Sequence, residues 1–286
     1  DILPTQLPTE KPTEVPLVFE YYDQYGNYLK KQGVISVQGT SSAGHLRKNF
    51  TLDVVDGSKL KFGAMLESDS YYLKSFYTDS FRGQSVAMYQ LYMDIINSRS
   101  IPNRKAFYSG YTAPSLATGT GQILYDMSSG ATYVANGFPI ALYCKGEFYG
   151  VYTLVQKKNR ANYDMKKTNA KEIWMDGVID WKFFGNQQIV WTDFELRNPT
   201  VKNLDGSAYD GDNPQEIQAS ATKTYIQNFA TRIQTIYSQP TDALKRTEFL
   251  KYFDLNSIID YFLFSNVIYN FDGFAKNWQW YTKDGI

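Results

Sequence analysis

Between Leu17 and Leu60 apolar and polar positions alternate in short bursts, LVFEYYD, GVISVQG and KNFTLDVV, separated by the turn signals Tyr25-Gly26-Asn27 and Asp56-Gly57. A period of two sends successive side chains to opposite faces of a sheet, so this stretch predicts a meander of antiparallel strands. Between Phe81 and Ile96 the period lengthens. Val86, Tyr89, Met93 and Ile96 recur three or four apart and form one face of a helix expected to pack on the early strands. After a polar stretch rich in Gly, Ser and Thr over 101–135, PIALYC and VYTLVQ flank Lys145-Gly146-Glu147 and predict a hairpin, with Cys144 a packing residue beside Ile140 and Leu142. A polar loop over 198–216 leads to two helices. The first spans Thr222 to Tyr237 with Tyr225, Phe229, Ile233 and Ile236 on one face; the second spans Leu255 to Ile268 behind Asp254 as N-cap. The second is apolar nearly all round, which predicts a central buried helix. Strands first and helices later is the order of an α+β fold.

Composition narrows the functions open to such a chain. With 43% hydrophobic residues over 286, it can bury a sizeable core. Twenty-nine basic residues balance 29 acidic ones, so no net field draws in nucleic acid or an anionic membrane, and an anionic ligand needs a local site. One cysteine and one histidine exclude a disulfide framework and the His/Cys zinc sets, leaving a Cys144–His45 pair as the cysteine chemistry to weigh against simple packing. The densest apolar stretch, Ile258 to Ile268, is interrupted by Asp260, Ser265 and Asn266 and falls short of the ~18 residues of a membrane span, so a soluble chain is expected. Asp210-Gly211-Asp212 lacks the spacing of a calcium loop and reads as a solvated turn. Prolines at 4, 8, 12 and 16 make residues 1–16 an expected extended linker, with the domain proper over 17–286. Such Pro/Thr spacers stand between a lipid anchor or a preceding module and a domain outside the cytoplasm. With Asp1 as first residue and no leader pattern, the chain is expected to be a mature or trimmed exported protein.

The chemistry-bearing pattern lies near the end, in Asn270-Phe271-Asp272-Gly273-Phe274-Ala275-Lys276-Asn277-Trp278. Asp272 and Asn277 have the spacing at which a kinase catalytic loop places the Asp that orients and deprotonates the acceptor hydroxyl and the Asn that binds magnesium. A short loop after a rigid helix can aim both at one phosphoryl group. Near the start, Gly39-Thr40-Ser41-Ser42 falls between two predicted strands, and Lys48 is expected on the second. Such a turn offers N–H and O–H donors to phosphate oxygens, and the lysine offers charge. It is not a P-loop, because G-x₄-G-K-[ST] is absent.

These segments resemble the CotH family of kinase-like proteins, from about Gly33 to the end of the chain. Its early signature corresponds to Gly39-Thr40-Ser41-Ser42 with Leu46-Arg47-Lys48-Asn49-Phe50, its hairpin motif to Lys145 through Gln156, its F-E-L strand to Phe194-Glu195-Leu196, and its final signature to Asn270 through Tyr281. The resemblance implies a two-lobed, atypical protein-kinase-like fold, β-rich first and helical later. It also implies an ATP-dependent protein serine kinase using Mg²⁺ or Mn²⁺, with a protein as substrate. By position, Asp272 would be the catalytic aspartate, Asn277 a metal ligand, and Gly39, Ser41, Ser42, Lys48 and Gln156 the nucleotide contacts. The chain departs from the pattern at Gln156, where the hairpin motif ends in an acid, and it ends at Ile286 before the family's W-D-x-D-like metal segment. It is therefore expected to be truncated, and as it stands to bind nucleotide weakly or not at all and to be inactive. The alternative is a cell-surface adhesin, a protein- or glycan-binding module on the same fold, which the 24 tyrosines would suit. A glycoside hydrolase is a third class, though carboxylates such as Glu147 and Glu195 form no defined pair in sequence.

Overall fold

A computed structural model describes residues 2–63, 65–80, 83–98, 135–177, 189–211, 213–253, 255–270 and 279–282. The chain divides into two compact units, residues 1–97 with 132–158, and residues 98–131 with 159–286. The fold mixes α and β, with a β-rich N-terminal half and most of the described helices in the C-terminal part.

In the first unit six antiparallel strands form one sheet. They are β1 (Glu14–Tyr22), β2 (Tyr28–Gln38), β3 (Asn49–Val54), β4 (Ser70–Lys74), β5 (Gly137–Cys144) and β6 (Glu147–Gln156), in the order β1-β2-β3-β4-β6-β5. Both predicted early turns are present. Asp23 Oδ1 accepts from the N–H groups of Tyr25 and Asn27 around Gly26 at φ +83°, and Gly57 turns at φ +73° beside Asp56. Alternation then sorts the faces. Ile35 of β2, Phe50 and Val54 of β3, Tyr71 and Leu73 of β4, and Tyr152 and Leu154 of β6 converge in one apolar core with Phe62, Met65 and Cys144. Cys144 is buried there with Ile140 and Leu142 against the same cluster, and burial pushes its thiol pKa up, as suits a packing residue. Helix α1 (Gln84–Ser98) lays Val86 on the backbone of β5, where a Cβ on Gly137 would stand 3.0 Å from a Val86 methyl.

Two readings of the sequence change here. The Pro/Thr segment is not without a core of its own: β1 begins at Glu14, and Leu7, only 7% exposed, joins the apolar cluster. Proline spacing constrains the backbone but leaves a leucine between two prolines free to anchor. Strand β4 had no predicted counterpart.

The second unit holds a three-stranded antiparallel sheet, β8-β7-β9, from β7 (Ile173–Gly177), β8 (Phe194–Asn198) and β9 (Gln279–Thr282). Helices α2 (Ala221–Tyr237), α3 (Asp242–Phe249) and α4 (Leu255–Val267) follow β8. Ser220 caps α2 by accepting from Lys223 N–H, and Thr241 caps α3 by accepting from Leu244 N–H. Ile226 and Ala230 of α2 face Ile173, Met175, Phe194 and Leu196 of the sheet, with Tyr225 and Phe229 on the flank; Ile233 of the expected stripe is buried, while Ile226 and Ala230 take the buried places expected of Tyr225 and Phe229.

Helix α4 reverses its expectation. Phe262 is 56% exposed, Val267 74%, and Ile259 and Leu263 are exposed with them, whereas Asp260 and Ser265 are buried. A helix apolar on all sides carries no periodic signal to say which side packs, and here the side bearing Asp260 and Ser265 does. Its expected cap, Asp254, lies outside the described residues. No helix among the described residues is long and apolar enough to cross a membrane.

Candidate functional site

Strand β2 ends at Gln38, and Gly39 takes φ +102°, a conformation that L side chains rarely adopt. A Cβ there would stand 1.9 Å from Ser42 Oγ, so the glycine is what lets the serine fold back over the turn. Ser41–Gly44 form a single 3₁₀ turn, in which Ala43 N–H donates to Thr40 O and His45 N–H to Ser42 O, each at 3.2 Å. Ser41 is exposed and Ser42 half-buried, so both hydroxyls stand near the surface of a tight, donor-rich turn.

Lys48 immediately precedes β3 rather than lying on it, and its ammonium donates to Ala43 O at 2.8 Å, closing the turn onto itself. It lies two residues before Phe50, on the parity of the core side chains. Gln156, the last residue of β6, is fully buried, also on the core side of the sheet. Its Oε1 accepts from Leu66 N–H at 3.3 Å, while its Nε2 has no partner among the described residues.

On the other face of the sheet, at the end beside the Gly39 turn, lies Lys74, which sequence reading passed over. Gln38 pairs with Asn49 across β2 and β3, and Lys74 pairs with Thr153 across β4 and β6. Asn49 and Lys74 are each the next residue beyond the Phe50–Leu73 pair, so the four form one polar row across the sheet, beside the Gly39 turn. Asn49 Oδ1 accepts from Ser75 N–H at 2.8 Å and from Ser75 Oγ at 3.0 Å, which holds this end of β3 to β4. The Lys74 ammonium donates to Gln38 Oε1 and lies 4.8 Å from the Tyr72 ring centroid. Burial, and second the like charge of Lys158, push its pKa down to about 8. The signal that could have found it is a lysine at the end of the aromatic and apolar run Tyr71-Tyr72-Leu73, where a charge closes a strand-like segment.

In the second unit, Asp272 and Asn277 lie outside the described residues, and the frame on either side of them is well defined. Helix α4 ends in a Schellman motif: Tyr269 takes φ +55°, Asn270 N–H donates to Ser265 O at 2.8 Å, and Tyr269 N–H to Asn266 O at 3.3 Å. Past the loop, β9 pairs along β7, from Asp176 opposite Gln279 to Ile173 opposite Thr282. Tyr163 pins this strand, donating to Gln279 Oε1 at 2.5 Å with its ring 5.0 Å from Trp174 and 4.9 Å from Tyr281. The F-E-L strand is β8. Its Glu195 faces Asp176 on β7, and both carboxylates pair with Arg197, so Glu195 is occupied in a charge cluster of the sheet. Glu147 stands exposed beside the β5–β6 turn. Asp210 accepts from the Asn213 side-chain amide at 3.1 Å, as in an ordinary polar turn. No group of three or more His, Cys, Asp or Glu side chains gathers into a metal-sized cluster among the described residues.

No curated protein matches the chain. A family model described as CotH kinase protein matches residues 35–285, from inside β2 to past β9 and so through helices α1 to α4. The chain belongs to the CotH family.

Proposed function

We propose that the chain is the kinase-like domain of an ATP- and metal-dependent protein serine kinase of the CotH type, exported and acting on a partner protein outside the cytoplasm. Its two units correspond to the two lobes of an atypical protein-kinase-like α+β fold. The observation that carries this reading is the turn at Gly39, where a glycine in a left-handed conformation and two serine hydroxyls make a donor-rich bend between paired strands. Backbone N–H groups and hydroxyls in such a bend suit phosphate oxygens, so ATP fits the residues present. In this reading Gly39, Ser41 and Ser42 meet the phosphates and Asp272 orients and deprotonates the acceptor serine. Magnesium or manganese, when bound, offsets the phosphate charge, and Asn277 is the residue of this chain assigned to it. Gln156 and Lys48, as placed, support the turn and the sheet end rather than reaching outward.

The test is phosphate transfer from labelled ATP, with Mg²⁺ or Mn²⁺, to serine in the chain itself or in a co-expressed partner. Transfer lost in Asp272→Ala and reduced in Ser42→Ala is the expected result. A folded wild-type protein carrying the family's metal segment that transfers no phosphate under either metal would overturn the reading. The adhesin alternative draws on a separate observation: Tyr22, Tyr25 and Tyr28 crowd the exposed β1–β2 hairpin tip, with Tyr25 81% exposed. Specific partner binding lost in Tyr25→Ser and indifferent to ATP would favour it.

A further inference from the structure

We propose that the outer face of the β1–β2 hairpin, at the ring pair Tyr22–Tyr28 and the ion pair Glu20–Lys30, binds a neutral polysaccharide whose sugar rings carry their substituents equatorially. The hairpin is built to hold such a platform still. Its cross-strand pairs run in register from Glu14 opposite Ser36 to Tyr22 opposite Tyr28. Alternation sends Leu17, Phe19, Tyr21 and Leu29 against the core, where the Tyr21 ring meets Phe62 edge-on with centroids 4.7 Å apart. The opposite face therefore carries Glu20 across from Lys30 and, as the next pair outward, Tyr22 across from Tyr28. At the tip the Asp23 carboxylate accepts from the N–H groups of Tyr25 and Asn27 and from the Asn27 side-chain amide, which fixes the turn. All four platform residues precede residue 35, where the family match begins, so the platform lies outside the matched domain.

The size of the aromatic surface argues for a saccharide over a protein. Tyr22 and Tyr28, with ring centroids 4.7 Å apart, are 66% and 51% exposed, and Tyr25 in the turn is more exposed still. At ~200 Å² per side chain the three present about 400 Å², roughly half of the ~800 Å² that a specific protein complex covers on each partner. The neighbouring pair on that face is charged, so the aromatic surface does not widen into a larger apolar one. A sugar ring needs less area. Its axial C–H bonds are slightly positive and rest on the negative face of an aromatic ring, while its hydroxyls need donors and acceptors at the platform edge. Glu20 and Lys30 supply both. They pair at 2.9 Å, and the Tyr22 hydroxyl donates to Glu20 Oε2 at 3.1 Å, which leaves ammonium protons and carboxylate lone pairs for neighbouring sugar hydroxyls. The two charges offset each other and the Asp23 carboxylate is taken up in the turn, so a neutral saccharide fits better than an acidic one. Equatorial substitution matters because it leaves a C–H face clear of hydroxyls, and tyrosines held by the strands lose little freedom on meeting it.

The inference rests on the adhesin reading for its role, naming the chemistry of the partner, and the experiment separates the two. The whole chain is titrated calorimetrically, to several millimolar, with cellohexaose and chitohexaose, whose rings are equatorially substituted, and with maltohexaose, whose α-linkages curve the chain. Binding of cellohexaose or chitohexaose that Tyr22→Ala and Tyr28→Ala each weaken about fivefold or more, the size of one aromatic contact, is the expected result. Tyr237→Ala, at an exposed tyrosine of α2, should leave it unchanged. Which of the two binds identifies the source as a plain glucan or an N-acetylated one. Nitration of Tyr22 and Tyr28 in the wild-type chain, read by mass spectrometry, should fall when the bound hexasaccharide is present while that of Tyr237 does not, which tests the platform even if the alanine variants do not fold. No binding of either equatorial hexasaccharide, equal binding of maltohexaose, or binding and nitration that ignore Tyr22 and Tyr28 overturns the proposal. Capture of a protein partner that Tyr25→Ser abolishes, with no saccharide bound, would keep the adhesin reading and overturn this one. Saccharide binding at Tyr22 and Tyr28 in a chain whose partner binding ignores Tyr25→Ser would sustain the platform and remove that reading.

Discussion

The guanidinium of Arg47 occupies the space where a side chain on Gly150 would stand: a Cβ built there would meet Arg47 Nη2 at 2.5 Å and Cζ at 2.8 Å. Gly150 sits at φ +150°, just past a bulge at which Leu142 pairs with Gly150 and Tyr143 with Phe148, leaving Tyr149 as the extra residue. The Tyr149 carbonyl accepts from Arg47 Nη2 at 3.3 Å, and the guanidinium lies 5.8 Å from the centroid of buried Tyr152. Two motifs about a hundred residues apart in sequence are thus one structural feature. The arginine of the early signature needs the second glycine of the hairpin signature.

Gly150→Ala should therefore displace Arg47 and cost about 1–3 kcal/mol, the range of overpacking with backbone strain. Urea unfolding of Gly150→Ala, Arg47→Ala and the double variant measures it. The double variant should cost clearly less than the sum of the two, because once Arg47 is shortened the added methyl has room. Additive costs would mean that the two positions do not share the space.

The β5–β6 turn offers a gain. Lys145 and Gly146 both have positive φ, 48° and 87°, the signature of a type I′ turn, and lysine is a poor choice for its first position. Lys145→Asn should raise unfolding stability by up to about 1 kcal/mol without altering the strands. Gly146→Val should lower it by a similar amount or more, because a β-branched residue resists that conformation.

Hairpins with marked turns were legible in the sequence because their signals are local: Gly26, Gly57 and Gly146 each stand where the chain reverses. Strand β7 was not, since all five of its residues are buried and it has no alternation to read. Helix α3 left a usable trace, Thr241 followed by Asp242 in the first turn, that a search for N-caps alone would have found. The candidate turn was legible where sequence and conformation coincide, at Gly39 and the serines behind it. Lys74 was hidden because its environment depends on register. Only the pairing of β4 with both β3 and β6 places it opposite the core face and beside Gln38. Lys48 looked like the strand lysine because it opens the strand-like run, whereas β3 starts at Asn49 and the Lys48 ammonium turns back to Ala43 O.

The exposed stripe of α4 makes a prediction opposite to the one its composition suggests. Phe262→Lys and Leu263→Glu should each change stability by no more than about 0.5 kcal/mol, as for exposed sites, and should improve solubility. Ser265→Leu, at a fully buried position on the packed side, should cost about 1–3 kcal/mol through overpacking. Thermal unfolding of the three variants decides which side of the helix is structural.

The last prediction concerns pH. An unfolded chain titrates Lys74 at the ordinary lysine value of 10.5, whereas in the native chain burial and Lys158 bring it to about 8. Below pH 8 both states hold the proton, and folding bears the full cost of keeping the ammonium in a half-buried place. Between pH 8 and 10.5 the native chain releases the proton and the unfolded chain still holds it, so stability attributable to this residue rises with pH across that window. Lys74→Met has no such group. The difference in unfolding free energy between wild type and Lys74→Met should therefore move toward the wild type from pH 7.5 to 10, by no more than about 3 kcal/mol and by less to the extent that water reaches the amine. A difference that is flat in pH without ligand would show that Lys74 is solvated in the native chain, and that its place in the sheet does not perturb it.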